Sequence, residues 1–149
     1  MAIETKEINF EQAIEEYLLS TKEYTKGNSK DFNRELALDT QAVIDFVKMT
    51  QEDKWALMTK RHGKNVEQAF IKRLIDELNK RGMLDVLRKG IMDLGVHVKL
   101  AYFKPGSNMN KELSALYGKN NLQITRQLKY SLSNENSIDM VIFLNGLPI

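Results

Sequence analysis

The chain has 149 residues and no cysteine, so it can bury a core of its own without disulfides, has no thiolate metal site, and suits a reducing cytoplasm, its expected location. Its net charge of +2 does not by itself point to a nucleic-acid partner. The start, Met1-Ala-Ile-Glu-Thr-Lys-Glu, lacks the pattern of a secretory signal, and no apolar run approaches the roughly 20 residues of a spanning helix, which leaves no membrane partner expected.

In chain order, Asn9 with Gln12 makes a capping-box start for a first helix, with Phe10, Ile14, Tyr17 and Leu18 on one face. Glu11 and Glu15 lie beside that stripe. Residues 22–37 read as polar and irregular, with Tyr24 and Phe32 as anchors. Asp39 can cap a second helix carrying Val43, Ile44, Phe46 and Val47, and Thr50 with Asp53 opens a short third one with Trp55 and Met58. Asn65 and Gln68 repeat the capping box before Phe70, Ile71, Leu74, Ile75 and Leu78, and Gly82 fits the position that ends this helix.

The period then changes. Val96, Val98, Leu100 and Tyr102 alternate with His97, Lys99 and Ala101, as in a strand stopped by Pro105. A short helix from about Lys111 to Tyr117 leads to a second strand, Leu122 to Tyr130, with Leu122, Ile124, Leu128 and Tyr130 in one row and Arg126 as its polar member. A turn at Ser133–Asn136 follows. Helices first and strands last, with a helix between, indicate an α/β or α+β domain.

The last stretch, Ser137-Ile-Asp-Met-Val-Ile-Phe-Leu-Asn-Gly-Leu-Pro-Ile149, says most. Asn145-Gly146 between apolar runs is a strong hairpin signal, because a type I′ turn needs positive φ at both central residues. An apolar strand has no need of a carboxylate at its start unless the carboxylate binds something, although a lone Asp there is usually a turn or cap residue. The arm after the turn looks too short to pair, which would leave Met140–Leu144 an open apolar edge. On that reading the chain is expected to be a fragment or a prematurely terminated reading frame.

This stretch closely resembles the N-terminal nuclease domain of the R (restriction, motor) subunit of type I restriction enzymes. There Ser-Ile-Asp-x-Val-x-Phe-x-Asn-Gly-x-Pro leads within a few residues to Glu-x-Lys, completing the PD-(D/E)xK signature. Weaker matches fall in the family's order: Phe10-Glu11 with Ile14 and Leu18, Thr50-Gln51 with Trp55, Gly82-x-Leu-x-Val-Leu-Arg88, Tyr102-Phe-Lys-Pro105, and Asn121-Leu122 with Arg126-Gln127. The resemblance implies an α/β fold with a restriction-endonuclease-like core, a leading helix plus a mixed sheet with a β-hairpin, incomplete at its C-terminal end. It implies one nuclease domain over residues 1–149 with a mostly helical insertion at about 20–95.

By the same resemblance, Asp139 is the magnesium ligand and catalytic carboxylate, with Glu11 of the leading helix as its second candidate. Glu15 can serve instead of Glu11, and an exposed first-turn acid favoured by the helix dipole is the bland alternative. Mg²⁺ suits such a site because it takes hard oxygen ligands and keeps several waters. The full-length protein would cut double-stranded DNA after ATP-driven translocation, in complex with modification and specificity subunits. A noncatalytic DNA-binding or docking module with a degenerate nuclease fold is the alternative.

DNA contacts have their own candidates. Arg126 and Gln127 precede the hairpin and can face the phosphate or the solvent. Residues 51–149 carry 16 Lys/Arg against 10 Asp/Glu, and within them Lys60, Arg61 and Lys64 form either a basic loop on the DNA backbone or a solvated interhelical turn. His62 and His97 have no zinc-ligand spacing around them, and Trp55, Phe70 and Tyr102 read as core. Gly63-Lys64 and Gly118-Lys119 are not phosphate loops, since Met58 and Leu113 stand where the first Gly belongs and Asn65 and Asn120 where Ser or Thr belongs. No ATP site is expected in these residues.

Overall fold

The computed structural model describes residues 12–34, 36–106, 110–129 and 137–149, and the backbone alone for residues 29, 127–129 and 137–139. In chain order the elements are helix α1 (residues 12–20), strand β1 (Tyr24–Lys26), a 3-10 turn (Ser29–Asp31), α2 (Thr40–Thr50), α3 (Glu52–His62), a second 3-10 turn (Gly63–Asn65), α4 (Val66–Arg81), α5 (Met83–Lys89), β2 (Ile91–Asp93), β3 (Val96–Val98), α6 (Lys111–Gly118), β4 (Leu122–Lys129), β5 (Ser137–Leu144) and β6 (Leu147–Pro148). The fold is mixed α/β. It divides into two compact units, Met1–Asp39 with Asn121–Ile149, and Thr40–Asn120. No helix among the described residues is long and apolar enough to cross a membrane.

The first unit is built on a mixed sheet of order β1-β4-β5-β6. β4 and β5 pair antiparallel from Leu122↔Leu144 to Lys129↔Ser137, and β1 lies parallel to β4 with Tyr24↔Leu122 and Lys26↔Ile124. The Asn145-Gly146 turn forms as its residues require, with φ of 52° and 88°. Asn145 is buried and its Oδ1 accepts from the Asn121 N–H at 2.7 Å, while its own N–H donates to the Asn121 carbonyl at 2.9 Å. That clamp fixes where the hairpin leaves the end of β4.

Three expectations change in this unit. The arm after the turn does pair: Leu147 lies opposite Leu144 and Pro148 opposite Phe143, and Leu147 is fully buried. Burial of one leucine and a clamped turn suffice for a two-residue strand. Residues 22–37 are not wholly irregular, since β1 and a 3-10 turn lie within them. The inner face of α1 includes Ile14, Leu18 and a buried Glu15, while Tyr17 is 70% exposed. Asn9, Phe10, Glu11 and the Ser133–Asn136 turn lie outside the described residues.

The second unit has the helices that the apolar spacing predicts. Val43, Ile44, Phe46 and Val47 of α2 are all buried, as are Met58, Phe70, Ile71 and Leu74. Trp55 stands edge-on to Phe70 with centroids 5.6 Å apart, and Phe46 packs on Tyr102 at 6.0 Å. Gly82 ends α4 with φ 87°, its N–H donating to the Leu78 carbonyl. Asn65 makes no side-chain cap: it belongs to the 3-10 turn that carries α3 straight into α4. A further helix, α5, follows at once and buries Val86 and Leu87.

The strand expected over Val96–Tyr102 is shorter. β3 ends at Val98 because its partner β2 offers only Ile91–Asp93, across a Leu94-Gly95 turn with φ of 45° and 82°. Residues 99–102 run on without a strand beside them. Side-chain amides of Gln51 and Asn120 take up their backbone groups instead.

Candidate functional site

The inner face of α1, the end of β1 and the middle of β4 enclose a cleft of about 460 Å³ lined by Glu15, Lys26, Gly27, Asn28 and Arg126. Each lining residue is there for a local reason. Glu15 sits one position after Ile14 and a turn before Leu18 and Leu19, so the helix cannot bury those without turning Glu15 inward. Lys26 pairs with Ile124 in the parallel register, and Arg126 lies two residues further along β4 in the same row of the pleat. Gly27 follows because the chain passes so close to β4 that a Cβ there would overlap Thr125 Oγ1. Its N–H donates to the Ile124 carbonyl at 2.8 Å.

The electrostatics of the cleft turn on Glu15. Its side chain is 7% exposed, and its Oε1 lies 3.8 Å from both Lys26 Nζ and Arg126 Nη1. Its Oε2 is buried with no hydrogen-bond partner among the described residues. A buried acceptor left unpaired costs about 1–3 kcal/mol. The ion pair with Lys26, 69% exposed, is worth at most about 1 kcal/mol after screening and does not offset that. Glu15 is thus buried between two cations with one oxygen unpartnered among the described residues, which makes the cleft a candidate ligand site.

Two cations and one carboxylate suit an anion. Mg²⁺ takes one or two carboxylates along with phosphate and water oxygens, and a cation entering here would meet Lys26 and Arg126 beside its single ligand. No group of three His, Asp or Glu side chains converges among the described residues. Among the described residues the cleft offers one carboxylate, and the side chains of Glu11 and Asp139 lie outside them.

Of the predicted site residues, Arg126 is in this cleft beside Glu15. Asp139 is on β5, bracketed by the pairs Arg126↔Met140 and Leu128↔Ile138, and its side chain, like that of Gln127, lies outside the described residues. Glu11 lies outside them altogether. Lys60, Arg61 and Lys64 belong to the other compact unit and are not a loop: Lys60 and Arg61 are in the last turn of α3 and Lys64 is in the 3-10 turn after it. All three are exposed, but Arg61 Nη1 donates to the Leu94 carbonyl. His62 Nε2 lies 2.9 and 3.0 Å from the two oxygens of the buried Asp93, so these neighbours fasten α3 to the β2–β3 turn. Lys26 and Asn28 escaped the sequence reading because a three-residue strand has no detectable period.

A family model described as the type I restriction enzyme R protein N terminus (HSDR_N) matches residues 2–149. Neither a curated protein nor a solved structure matches the chain. With the family's Ser-Ile-Asp strand paired to β4 and turned by Asn145-Gly146 into β6, this chain belongs to the type I restriction enzyme R proteins, as their N-terminal region.

Proposed function

We propose that this region is the DNA-cleaving part of a type I restriction enzyme, with Asp139 as its magnesium-binding carboxylate. The observation that carries the reading is the β5–β6 register. Leu147 opposite Leu144 and Pro148 opposite Phe143 send the second arm back along β5 toward Asp139. A continuation of that arm in the same register runs beside Met140 and Asp139, where the family's Glu-x-Lys would stand. A bound Mg²⁺ supplies polarisation of the scissile phosphate and a lowered pKa for the attacking water. Within this chain, Asp139 would contribute a hard oxygen ligand from a strand paired along its length with β4. Arg126, one strand away, contributes positive charge for the DNA backbone. The motor that consumes ATP, and the modification and specificity subunits that read the target, would act from outside these residues, in the cytoplasm.

The test is cleavage of plasmid DNA by the full R protein assembled with its partner subunits. Asp139→Ala is expected to abolish Mg²⁺-dependent cutting while ATP consumption on target DNA continues. Cutting that survives Asp139→Ala in the full complex would put the active site elsewhere and leave this region the noncatalytic role of DNA binding or docking.

A further inference from the structure

Asn121 and Asn145 exchange two hydrogen bonds, as opposed residues of a ladder do, but one of them ends on a side chain. The Asn145 N–H donates to the Asn121 carbonyl at 2.9 Å, and the Asn121 N–H donates to Asn145 Oδ1 at 2.7 Å. We propose that the Asn145 carboxamide is a register pin, a positioning residue that sets β5 against β4 and thereby fixes where Asp139 stands on the sheet. The consequence for catalysis rests on Asp139 being the magnesium ligand proposed above.

The sequence of β5 leaves its register open. A strand with one apolar face is held by its alternation, because a slip of one residue turns that face outward. Met140-Val-Ile-Phe-Leu144 is apolar without a break, and all five residues are buried or half-buried, so a slipped pairing would still put apolar side chains on both faces. The turn alone does not supply the constraint: a type I′ turn asks for positive φ, which glycine gives at either position. What asparagine adds at Asn145, with φ 52° and 1% exposure, is the side-chain acceptor. The groups around it are themselves tied down. Asn121 Oδ1 accepts from Thr25 Oγ1 at 3.1 Å, which joins the same point to β1, and the Gly146 carbonyl accepts from the Asp39 N–H at 3.0 Å. In this register Asp139 falls between the pairs Arg126↔Met140 and Leu128↔Ile138. A slip of one residue would carry it to the opposite face, and a slip of two would move it about 6.8 Å along β4.

The chain has no cysteine, so introduced pairs can report the register directly. Thr125 lies opposite Val141, and residues opposed on an antiparallel ladder have Cα atoms about 4.5–5.5 Å apart, within disulfide reach. With copper–phenanthroline as oxidant, the 149-residue chain carrying Thr125→Cys and Val141→Cys should close readily. The chain carrying Thr125→Cys and Ile142→Cys, on opposite faces, should not. Adding Asn145→Gly, which keeps the turn and removes the acceptor, should lower the first yield severalfold and raise the second. Asn145→Asp keeps an acceptor oxygen, should retain the wild-type pattern, and decides the matter even where Asn145→Gly unfolds. Tyr24→Cys with Leu122→Cys, across β1 and β4, should close in every background and reports an intact sheet. In the full R protein assembled with its partner subunits, Asn145→Gly should slow plasmid cutting severalfold and raise the half-saturating Mg²⁺ concentration for cutting, while ATP consumption keeps its wild-type Mg²⁺ dependence. A merely structural loss would lower cutting by one factor at every Mg²⁺ concentration. An unchanged cross-link pattern in Asn145→Gly, or a slip in Asn145→Asp, overturns the pin, and a slip with an unmoved Mg²⁺ midpoint overturns its role in placing Asp139. Cutting that survives Asp139→Ala would instead refute the magnesium reading and leave the cross-links as they are.

Discussion

Gln51 and Lys99 exchange two hydrogen bonds of 2.8 Å, the Lys99 N–H donating to Gln51 Oε1 and Gln51 Nε2 donating to the Lys99 carbonyl. Asn120 repeats the arrangement on Tyr102, accepting from its N–H at 3.1 Å and donating to its carbonyl at 2.5 Å. Two side-chain amides thus replace the strand that residues 99–102 lack.

Gln51 is 4% exposed, so truncating it strands a donor and an acceptor on Lys99. Gln51→Ala is expected to cost about 1–3 kcal/mol. Gln51→Glu should cost a similar amount, because a carboxylate oxygen would then face the Lys99 carbonyl. Urea unfolding with a lowered midpoint and unchanged slope is the expected signature. Midpoints equal to wild type in both variants would mean that water satisfies Lys99 equally well.

Gly27→Ala makes a second, sharper test of packing. The added Cβ would overlap Thr125 Oγ1, whereas its next contacts, with the Ile124 carbonyl oxygen at 3.5 Å and Gln123 Cβ at 3.6 Å, are ordinary. Overpacking of this kind costs about 1–3 kcal/mol. Thr125→Ala removes the obstructing oxygen, so the double variant should recover most of the loss. A double variant no more stable than Gly27→Ala alone would place the strain in the backbone instead.

Most of the second unit was legible from period alone. Val43, Phe46, Phe70 and Leu74 recur at helical spacing, and burial of those same residues is what holds the helices in place. Asn145-Gly146 was legible for a different reason: few residue pairs tolerate φ of 52° and 88° in succession. The Glu15 cleft was not legible. Glu15 falls beside an apolar stripe, and only the nonlocal pairing of β1 with β4 brings Arg126 to Glu15 and Lys26 from the far end of the chain. β1 itself, three residues long, is a strand only because Leu122–Ile124 lies next to it. The Asn65 cap failed because a 3-10 turn, a local alternative with its own hydrogen bonds, took the same residues.

Arg81 ties α4 to α5 and to the start of β2. Its Nε donates to Asp85 at 2.6 Å, and its Nη1 donates to Glu77 at 3.0 Å and to the Gly90 carbonyl at 2.9 Å. The hydrogen bond from Arg81 holds the Glu77 carboxyl below its ordinary 4.5, and those from Arg81 and Lys89 hold Asp85 below its ordinary 3.8. Both folded values are depressed, so this stabilisation is present above the unfolded values and is lost as pH falls through the folded ones. Arg81→Gln should flatten the decline of stability with acid from about pH 5 downward. Burial, by contrast, raises the Tyr102 phenol above its ordinary 10.0, so stability should fall as pH rises beyond 10, where the unfolded chain ionises first. Tyr102→Phe should flatten that alkaline limb alone. Thermal midpoints measured across both limbs check the two assignments, and an acid limb unchanged by Arg81→Gln would remove Glu77 and Asp85 from the account.

Lys60 and Lys64 pose the remaining question about DNA, and the structure shows how to ask it cleanly. Arg61 and His62 between them are engaged with Leu94 and Asp93, so reversing the whole basic run would loosen the β2–β3 turn as well as change the charge. The exposed pair Lys60→Glu with Lys64→Glu isolates the charge and should alter stability by no more than about 0.5 kcal/mol. If this surface tracks phosphates, duplex binding should weaken alike for every sequence, and the slope of log K against log salt should fall by roughly two contacts' worth. Arg61→Glu alone should lower stability by about 1 kcal/mol through the lost Leu94 contact, a change visible without any DNA. Should the double variant bind with the wild-type isotherm, the lysines are solvated surface and the affinity comes from other basic residues of the chain.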